Sequence, residues 1–233
     1  GLGFEDALAL ARAGAHVILA GRNPKKGAEA VARIRQDLTR AQVDFMPLDL
    51  ANLDSIAAFG ESLRRSLDRV DVLINNAAVM ALPTRQVTAD GFELQFGTNH
   101  LGHFALTAHL MPLLRKGRRS RVISLSSVAA RSGTIDFDDL QSVRNYKPMP
   151  VYAQSKLACL MFAFELQRRS DAAGWGIDSI AAHPGGLGSG FLDLAGDFAR
   201  ARAHRRVDRR AAFLANPCGQ RLQRSRAHRA KVF

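Results

Sequence analysis

Short apolar segments alternate with longer amphipathic ones over most of the chain. The apolar segments have the length of strands and cover residues 15–21, 43–50, 70–79, 120–127 and 176–185. One of them, "VDVLINNAAV", is apolar almost throughout, which is typical of a parallel strand covered on both faces. The intervening segments repeat their apolar positions at helical spacing. This order predicts an α/β fold in which one domain is built on a doubly wound parallel sheet.

Five helices are predicted to precede, connect or follow these strands. The first has an apolar face of Ala7, Leu8, Leu10 and Ala11 and ends at Gly14. The others cover roughly Lys25 to Arg40, a segment capped by Asn52 that reaches Leu67, Gly91 to Leu114, and a helix that contains Tyr152. The polar segment from Gly133 to Pro150 is a long connection, and connections of that length are often functional.

Length and composition describe an ordinary globular protein. The chain has 233 residues, of which 47% are hydrophobic and 23% are charged, enough for one sizeable domain. Two cysteines give neither a disulfide framework nor the spacing of a metal site, so we expect a reducing, cytoplasmic setting. The longest apolar run, Leu157 to Phe164, is too short for a membrane span, and no signal peptide is expected.

The net charge of +12 is concentrated at one end. Residues 199–233 contain ten arginines and Lys231 against a single acid, Asp208. We therefore divide the chain into a domain at residues 1–198 and a basic tail at residues 199–233, which we expect to be disordered or to result from a shifted reading frame. As a nucleic-acid arm the tail would bind with strong salt dependence. Its only aromatic residues are Phe213 and Phe233, so we expect no nucleic-acid partner.

Candidate chemistry begins in the stretch "VYAQSKLA". Tyr152 and Lys156 are four residues apart in a helical segment, so their side chains lie on the same side of the helix. An ammonium beside a phenol favours the phenolate, so we expect Lys156 to lower the pKa of Tyr152. A phenol adjusted in this way can donate and accept a proton near neutral pH. The spacing alone is also compatible with chance.

Small and polar residues follow every predicted strand. The strand ends read "GRN", "DLA", "NNAA", "SLSS" and "HPGG". In a parallel sheet, ligands bind beyond the carboxyl ends of the strands, so these residues suit a ligand that lies across the sheet.

In these motifs the chain resembles the short-chain dehydrogenase/reductases, and within them the retinol-dehydrogenase-like group. The resemblance covers residues 1 to about 195 and rests on motifs that occur in the family's order: "GLG", "AGRNPKKG", "LDLANLDSI", "VLINNAAVM", "FELQFGTNHLGHFALT", "RVISLSS", "YAQSKLA" and "HPG". It implies a Rossmann-type sheet and an oxidoreductase that interconverts an alcohol and a carbonyl compound, with a hydrophobic small molecule as substrate.

The resemblance also implies a catalytic set. Tyr152 matches the acid/base, and Lys156 matches the lysine that binds the nicotinamide ribose. Ser127 matches the serine that holds the substrate oxygen; Ser126 is the alternative, but the spacing from the strand favours Ser127. Asn99 matches the asparagine that anchors a water in the proton relay.

The same resemblance implies a cofactor site, with NADP favoured and NAD as the alternative. Where an NAD-binding relative has an acid after its second strand, this chain has Gly21 followed by Arg22, with Lys25 and Lys26 nearby. The remaining implied cofactor residues are Gly1, Gly3, Asp49, Leu50, Asn75, Ala77, Pro184, Gly185 and Ser189, together with Tyr152 and Lys156. His183 is expected near the nicotinamide.

The chain also departs from the family's pattern. The family has a strand before "GLG", so we expect the sheet to lack its first strand and to have an open position there. A catalytically inactive fragment is therefore an alternative to an active enzyme. His100 and His103 have no accompanying carboxylate or cysteine, so we expect no metal. The stripe Leu157, Leu160, Met161 and Phe164 is expected to be core or, by resemblance, part of a homodimer interface.

Overall fold

The structure, a computed structural model, describes residues 1–184, 212–215 and 231–232. The helices are α1 (Leu2–Arg12), α2 (Pro24–Asp37), α3 (Leu53–Ser66), α4 (Leu94–Phe96), α5 (Gly102–Leu114) and α6 (Pro148–Ala173). The strands are β1 (Val17–Gly21), β2 (Val43–Pro47), β3 (Val72–Asn75), β4 (Ser120–Leu125), β5 (Ile177–His183), β6 (Ala212–Ala215) and β7 (Lys231–Val232). A π-helical turn, Gly97–Leu101, joins α4 to α5, and a 3-10 helix, Val128–Ser132, follows β4.

The strands form one sheet in the order β2-β1-β6-β3-β4-β5-β7. All neighbouring strands pair in parallel except β7, which runs antiparallel to β5. The chain alternates strand and helix from α1 to β5, so crossover connections place helices on the two faces of the sheet. The predicted doubly wound α/β fold is confirmed.

The expected open position in the sheet is occupied. Strand β6, from the basic tail, pairs in parallel with β1 on one side and with β3 on the other, so that Val17 and Val72 share Ala212 as their partner. The backbone groups at the facing edges of β1 and β3 therefore have partners, as buried backbone groups require. The expectation of an empty position is wrong. Apart from β6 and β7, the tail lies outside the described residues.

Helix ends follow the capping residues in the sequence. The Oδ1 atoms of Asn23 and Asn52 accept hydrogen bonds from Lys26 N and Ser55 N, each at 3.0 Å, and so cap α2 and α3. The helix predicted from Gly91 begins only at Leu94 and is interrupted by the π-helical turn. Among the helices that the structure describes, none has both the length and the apolar composition needed to cross a bilayer.

Two hydrophobic clusters pack on the sheet. One is centred on Ile56, Leu106 and Leu110 of α3 and α5, and the other includes Leu8 and Ile34 of α1 and α2. In the predicted stripe of α6, by contrast, Met161 and Phe164 are exposed by 48% and 56%, so these two side chains do not belong to the core.

A close backbone approach fixes the start of α5. A Cβ atom at Gly102 would collide with the carbonyl oxygen and Cβ of Leu50, which lies three residues after the end of β2. Because a backbone carbonyl cannot move aside as a flexible side chain can, only glycine fits at this position.

We therefore expect Gly102→Ala to lower the free energy of unfolding by about 1–3 kcal/mol, the usual cost of overpacking. Urea unfolding provides the measurement. Ala108→Gly, at an exposed position of the same helix, is the control and should cost about 1 kcal/mol through helix propensity alone. A neutral or stabilising Gly102→Ala would contradict the predicted contact.

Candidate active site

Three of the predicted catalytic residues meet beyond the carboxyl end of β4. The Ser127 hydroxyl lies near enough to the Tyr152 phenol to lower the pKa of the phenol by hydrogen bonding. The Lys156 ammonium lies 5.9 Å from the centroid of the Tyr152 ring and donates to the carbonyl oxygen of Leu125 at 2.8 Å. Tyr152 and Lys156 are 8% and 3% exposed, so both polar groups are held where few water molecules compete with them.

The two serines after β4 have different roles in the structure. Ser126 Oγ is buried and donates to the main-chain oxygen of Lys156 at 2.7 Å. Ser127 Oγ accepts from Ala129 N at 3.2 Å, capping the 3-10 helix, and also reaches Tyr152. Of the two hydroxyls, the one at Ser127 therefore faces the phenol.

Burial dominates the electrostatics of the site. It raises the pKa of Tyr152 above its ordinary value, while the hydrogen bond from Ser127 acts in the opposite direction. Burial also lowers the pKa of Lys156, because a charged ammonium is disfavoured away from water. The expectation that Lys156 lowers the pKa of Tyr152 is not met in this structure: desolvation of the phenol outweighs the opposing effects, and the ammonium is directed at Leu125.

Asn99 lies in the π-helical turn, and all its hydrogen-bonding groups face protein atoms. Its side chain binds both main-chain groups of Val79, with Oδ1 accepting at 2.8 Å and Nδ2 donating at 2.9 Å, and also donates to Ser155 Oγ at 2.9 Å. Its carbonyl oxygen accepts from His103 Nδ1 at 2.8 Å and from Cys159 Sγ at 3.1 Å. A π-helical turn displaces carbonyls from their usual helical donors, so side chains take that place. A water bound to this carbonyl would have to displace one of them.

His100 and His103, three residues apart in the sequence, have partners other than a metal. His100 packs against Phe96, Phe104 and Phe162, and burial lowers its pKa to about 4. Burial lowers the pKa of His103 to about 3, so the ring that donates to Asn99 is neutral. In the part of the chain that the structure describes, no group of three or more potential ligands is placed to hold a metal ion.

The start of α1 and the end of β1 fit a ligand with several negative charges. Gly1 is the N-cap of α1 and provides no side-chain cap, so N–H groups of the first turn are available to an anion. Arg22, Lys25 and Lys26 are exposed, and within the described residues none of them forms an ion pair. Asp6 opposes this arrangement, but burial raises the pKa of its carboxyl to about 7, which reduces its negative charge.

The other predicted cofactor residues lie along the same edge of the sheet. Gly3 is buried in α1 and Leu50 follows β2, while Asp49 Oδ1 accepts from Ala51 N at 2.9 Å and shapes that turn. Asn75, at the end of β3, donates from Nδ2 to Thr107 Oγ1 at 3.2 Å, and its buried Oδ1 has no hydrogen-bond partner among the described residues. Ala77, His183 and Pro184 follow at the ends of β3 and β5. Gly185 and Ser189 lie outside the described residues.

The structure also adds residues that the sequence analysis missed. Glu93 and Gln95 are both fully buried, and burial raises the pKa of the Glu93 carboxyl. Its oxygens accept from Gln95 N and Phe96 N at 2.9 and 2.6 Å, which caps α4. The available signal was the pair of polar residues inside the motif "FELQF", which the sequence analysis assigned to the longer helix predicted from Gly91.

Comparison with known proteins places this arrangement among enzymes. The family model described as short chain dehydrogenase matches residues 1–196. Human retinol dehydrogenase 13 is 46% identical over 186 residues, which cover 79% of this chain and 55% of that protein. Human polyprenol dehydrogenase is 41% identical over 189 residues, which cover 79% of this chain and 57% of that protein. The chain thus spans little more than half the length of these curated relatives.

Solved structures agree with the fold. A putative uncharacterized protein from Mycobacterium paratuberculosis is 38% identical, with a TM-score of 0.69 over 96% of this chain and 82% of that one. A putative short chain dehydrogenase from Escherichia coli, solved with NADPH, is 25% identical, with a TM-score of 0.62 over 80% of this chain and 72% of that one.

The relatives also correct one expectation. Retinol and polyprenol dehydrogenases are membrane-associated proteins, so the prediction of a cytoplasmic protein is wrong. That prediction rested on the low cysteine count, which reports on the redox state of a compartment and not on association with a membrane.

The geometry predicts how Ser127 affects Tyr152. Because the hydroxyl of Ser127 lowers the pKa of the phenol, Ser127→Ala should raise that pKa further. The chain has two tyrosines, so ultraviolet titration in a Tyr146→Phe background reports on Tyr152 alone. Ser132→Ala is the matched control, since its exposed hydroxyl donates to the main-chain oxygen of Ala129 at 3.1 Å, and it should leave the titration unchanged. A lower or unaltered pKa in Ser127→Ala would refute the contact.

Proposed function

Because the chain belongs to the short-chain dehydrogenase family, we propose that it is an NADP-dependent oxidoreductase that interconverts an alcohol and a carbonyl compound. The observation that carries this proposal is the meeting of Ser127, Tyr152 and Lys156 at the carboxyl end of β4. A phenol, a hydroxyl and an ammonium in that arrangement can bind a substrate oxygen and transfer its proton.

Tyr152 acts as the acid/base in this mechanism. Its raised pKa keeps the phenol protonated at neutral pH, which is the form that donates a proton to a carbonyl oxygen during reduction. Ser127 lies within hydrogen-bonding reach of the phenol, so its hydroxyl can hold the same substrate oxygen. NADP, when bound, supplies or accepts the hydride. The protein contributes orientation and a route for the proton.

Lys156 would bind the nicotinamide ribose. One donor of the ammonium is used by Leu125, and the other two remain for a ligand. Asn99 supports this arrangement through Ser155, the neighbour of Lys156 on α6. These roles come from the match to the family's motifs. The hydrogen bonds from Lys156 to Leu125 and from Asn99 to Ser155 support them.

The basic cluster after β1 favours NADP over NAD. Arg22, Lys25 and Lys26 offer three positive charges where a ribose 2′-phosphate would bind, and no acid lies among them in the sequence. The similar Escherichia coli protein was solved with NADPH. Gly1, Gly3, Asp49, Leu50, Asn75, Ala77, Pro184, Gly185 and Ser189 complete the proposed cofactor site.

We infer a hydrophobic alcohol or aldehyde as the substrate. Two curated relatives are named for retinol and polyprenol, both of which are largely hydrocarbon. In this chain Val128, next to Ser127, is 40% exposed, and Met149, three residues before Tyr152, is 48% exposed. These side chains would offer apolar contact beside the reacting groups.

The exposed Phe104, Met161 and Phe164 on α5 and α6 support a homodimer, in which a second copy of the chain would cover these apolar side chains.

A catalytically inactive fragment is the second candidate, because the chain covers little more than half of its curated relatives. Replacement of the acid/base separates the two. We expect the unaltered chain to bind NADPH saturably in a fluorescence titration and to reduce a hydrophobic aldehyde. Tyr152→Phe should retain that binding and lose turnover by at least about 100-fold, the usual contribution of general acid–base catalysis. Absent NADPH binding would favour the fragment, and normal turnover by Tyr152→Phe would refute the mechanism.

Cofactor preference depends on Arg22. Arg22→Asp replaces a cation that can pair with the 2′-phosphate by an anion that repels it. We expect the ratio of kcat/KM for NADP to that for NAD to fall by about tenfold to 100-fold, as loss of a charge-assisted hydrogen bond implies. Arg40→Asp, in the loop between α2 and β2, makes the same charge change away from the proposed site and should leave the ratio unaltered. An unchanged ratio in Arg22→Asp would assign recognition of the phosphate to Lys25 or Lys26.

A further inference from the structure

Two side-chain amides, four residues apart, connect the loop after β3 to helix α6. They belong to Gln95 in α4 and to Asn99 in the π-helical turn, and both residues are fully buried. Only Asn99 has a role implied by the family's motifs. The contacts of Gln95 repeat those of Asn99 one turn earlier.

Gln95 uses both donors and one acceptor position of its amide. Oε1 accepts from Ala81 N at 2.7 Å. Nε2 donates to Tyr146 Oη at 3.0 Å and to the carbonyl oxygen of Pro148 at 3.1 Å. Tyr146 continues the connection by donating from Oη to the carbonyl oxygen of Leu82 at 2.7 Å.

Asn99 makes the corresponding contacts on the other side of Tyr152. It binds the main chain of Val79, two residues before Ala81, and it donates to Ser155 Oγ. Pro148 lies four residues before Tyr152 on α6, and Ser155 lies three residues after it. The two amides therefore attach α6 to the same loop at one point on each side of the phenol-bearing residue.

The start of α6 needs such an attachment. Lys147 is its N-cap and provides no side-chain hydrogen bond to the first turn. The connection from Gly133 to Lys147 contains no other helix or strand among the described elements. It reaches α6 beyond the first turn, at Gln154, whose side chain accepts from Asp136 N at 2.9 Å and donates to the carbonyl oxygen of Leu140 at 3.2 Å. Since Gln95 is buried, each of its bonds forms without competition from water, and an unpaired amide there would cost about 1–3 kcal/mol.

We propose that Gln95 is a positioning residue that fixes the first turn of α6, and with it the Tyr152 phenol, relative to Ser127. This proposal rests on the proposed function for its catalytic consequence, although the structural consequence is independent of it. Gln95 touches neither substrate nor cofactor in this account, and it acts through Pro148 and Tyr146.

The test replaces Gln95 by methionine, which has similar size and cannot form these hydrogen bonds. We expect kcat to fall by about tenfold to 100-fold, the effect of a small misplacement of a catalytic group. Affinity for NADPH should remain within about threefold, because no contact of Gln95 reaches the cofactor residues. Amide hydrogen exchange should become faster at Val151, whose N–H donates to the Lys147 carbonyl in the first turn of α6, and at Ala81, while Pro148 and Pro150 have no amide hydrogen to exchange.

Two further variants distinguish positioning from general loss of stability. Tyr146→Phe removes one link and keeps the bond to Pro148, so we expect a decrease in kcat of only about fivefold. Gln167→Met is the matched control. Gln167 also lies on α6 and accepts from Ser179 N at 2.7 Å, but near the far end of the helix. Gln167→Met should accelerate amide hydrogen exchange at Ser179 and leave kcat unchanged.

Gln95→Met with unaltered kcat, or with unaltered exchange in the first turn of α6, would overturn the proposal. So would an equal loss of kcat in Gln167→Met, since the effect would then follow from stability alone. If the unaltered chain reduces no aldehyde, the proposed function fails. The exchange measurement would still decide whether Gln95 fixes α6.

Discussion

The candidate site depends on how helix α6 is fixed to the end of strand β4. Lys156 and the strand end bind each other in both directions: the ammonium donates to the carbonyl of Leu125, and the hydroxyl of Ser126 donates to the carbonyl of Lys156. A buried ammonium is costly unless it is hydrogen-bonded, so this pair leaves little freedom for the helix to slide along the strand. The position of Tyr152 next to Ser127 follows from it.

The same burial that fixes the geometry also sets the charges. It lowers the pKa of Lys156 and raises that of Tyr152, so in the protein alone both groups are shifted toward their neutral forms. Under the proposed function this state is suited to donating a proton during reduction of a carbonyl. Oxidation of an alcohol would require a positive charge close to the phenol, which favours the phenolate. The pKa of a buried acid/base group can thus depend on the charge of the ligand that binds beside it.

Local pattern predicted the strands and the long helices because each buries a continuous apolar face, as in "VDVLINNAAV" and in α3. The meeting of Ser127, Tyr152 and Lys156 was also predictable, since strand ends and helical spacing place them at one edge. The role of Gln95 was not, because its partners Ala81 and Pro148 are distant in sequence and bind through their main chains. Strand β6 was missed for a similar reason: "AFLA" lies within an arginine-rich segment, and only the facing edges of β1 and β3 give it a place. The pKa of Tyr152 was misjudged because spacing reports proximity to Lys156 but not desolvation.

The central claim is that these residues support transfer of a hydride between NADP and a carbonyl carbon. The most direct measurement is mass spectrometry of the alcohol formed from a hydrophobic aldehyde and NADPH that carries deuterium on the reactive carbon of its nicotinamide ring. We predict that deuterium appears on the former carbonyl carbon, and from only one of the two stereoisomers of the labelled cofactor, because a fixed site presents one face of the ring. Alcohol without deuterium from either isomer, or no alcohol from a chain that binds NADPH, would contradict the account.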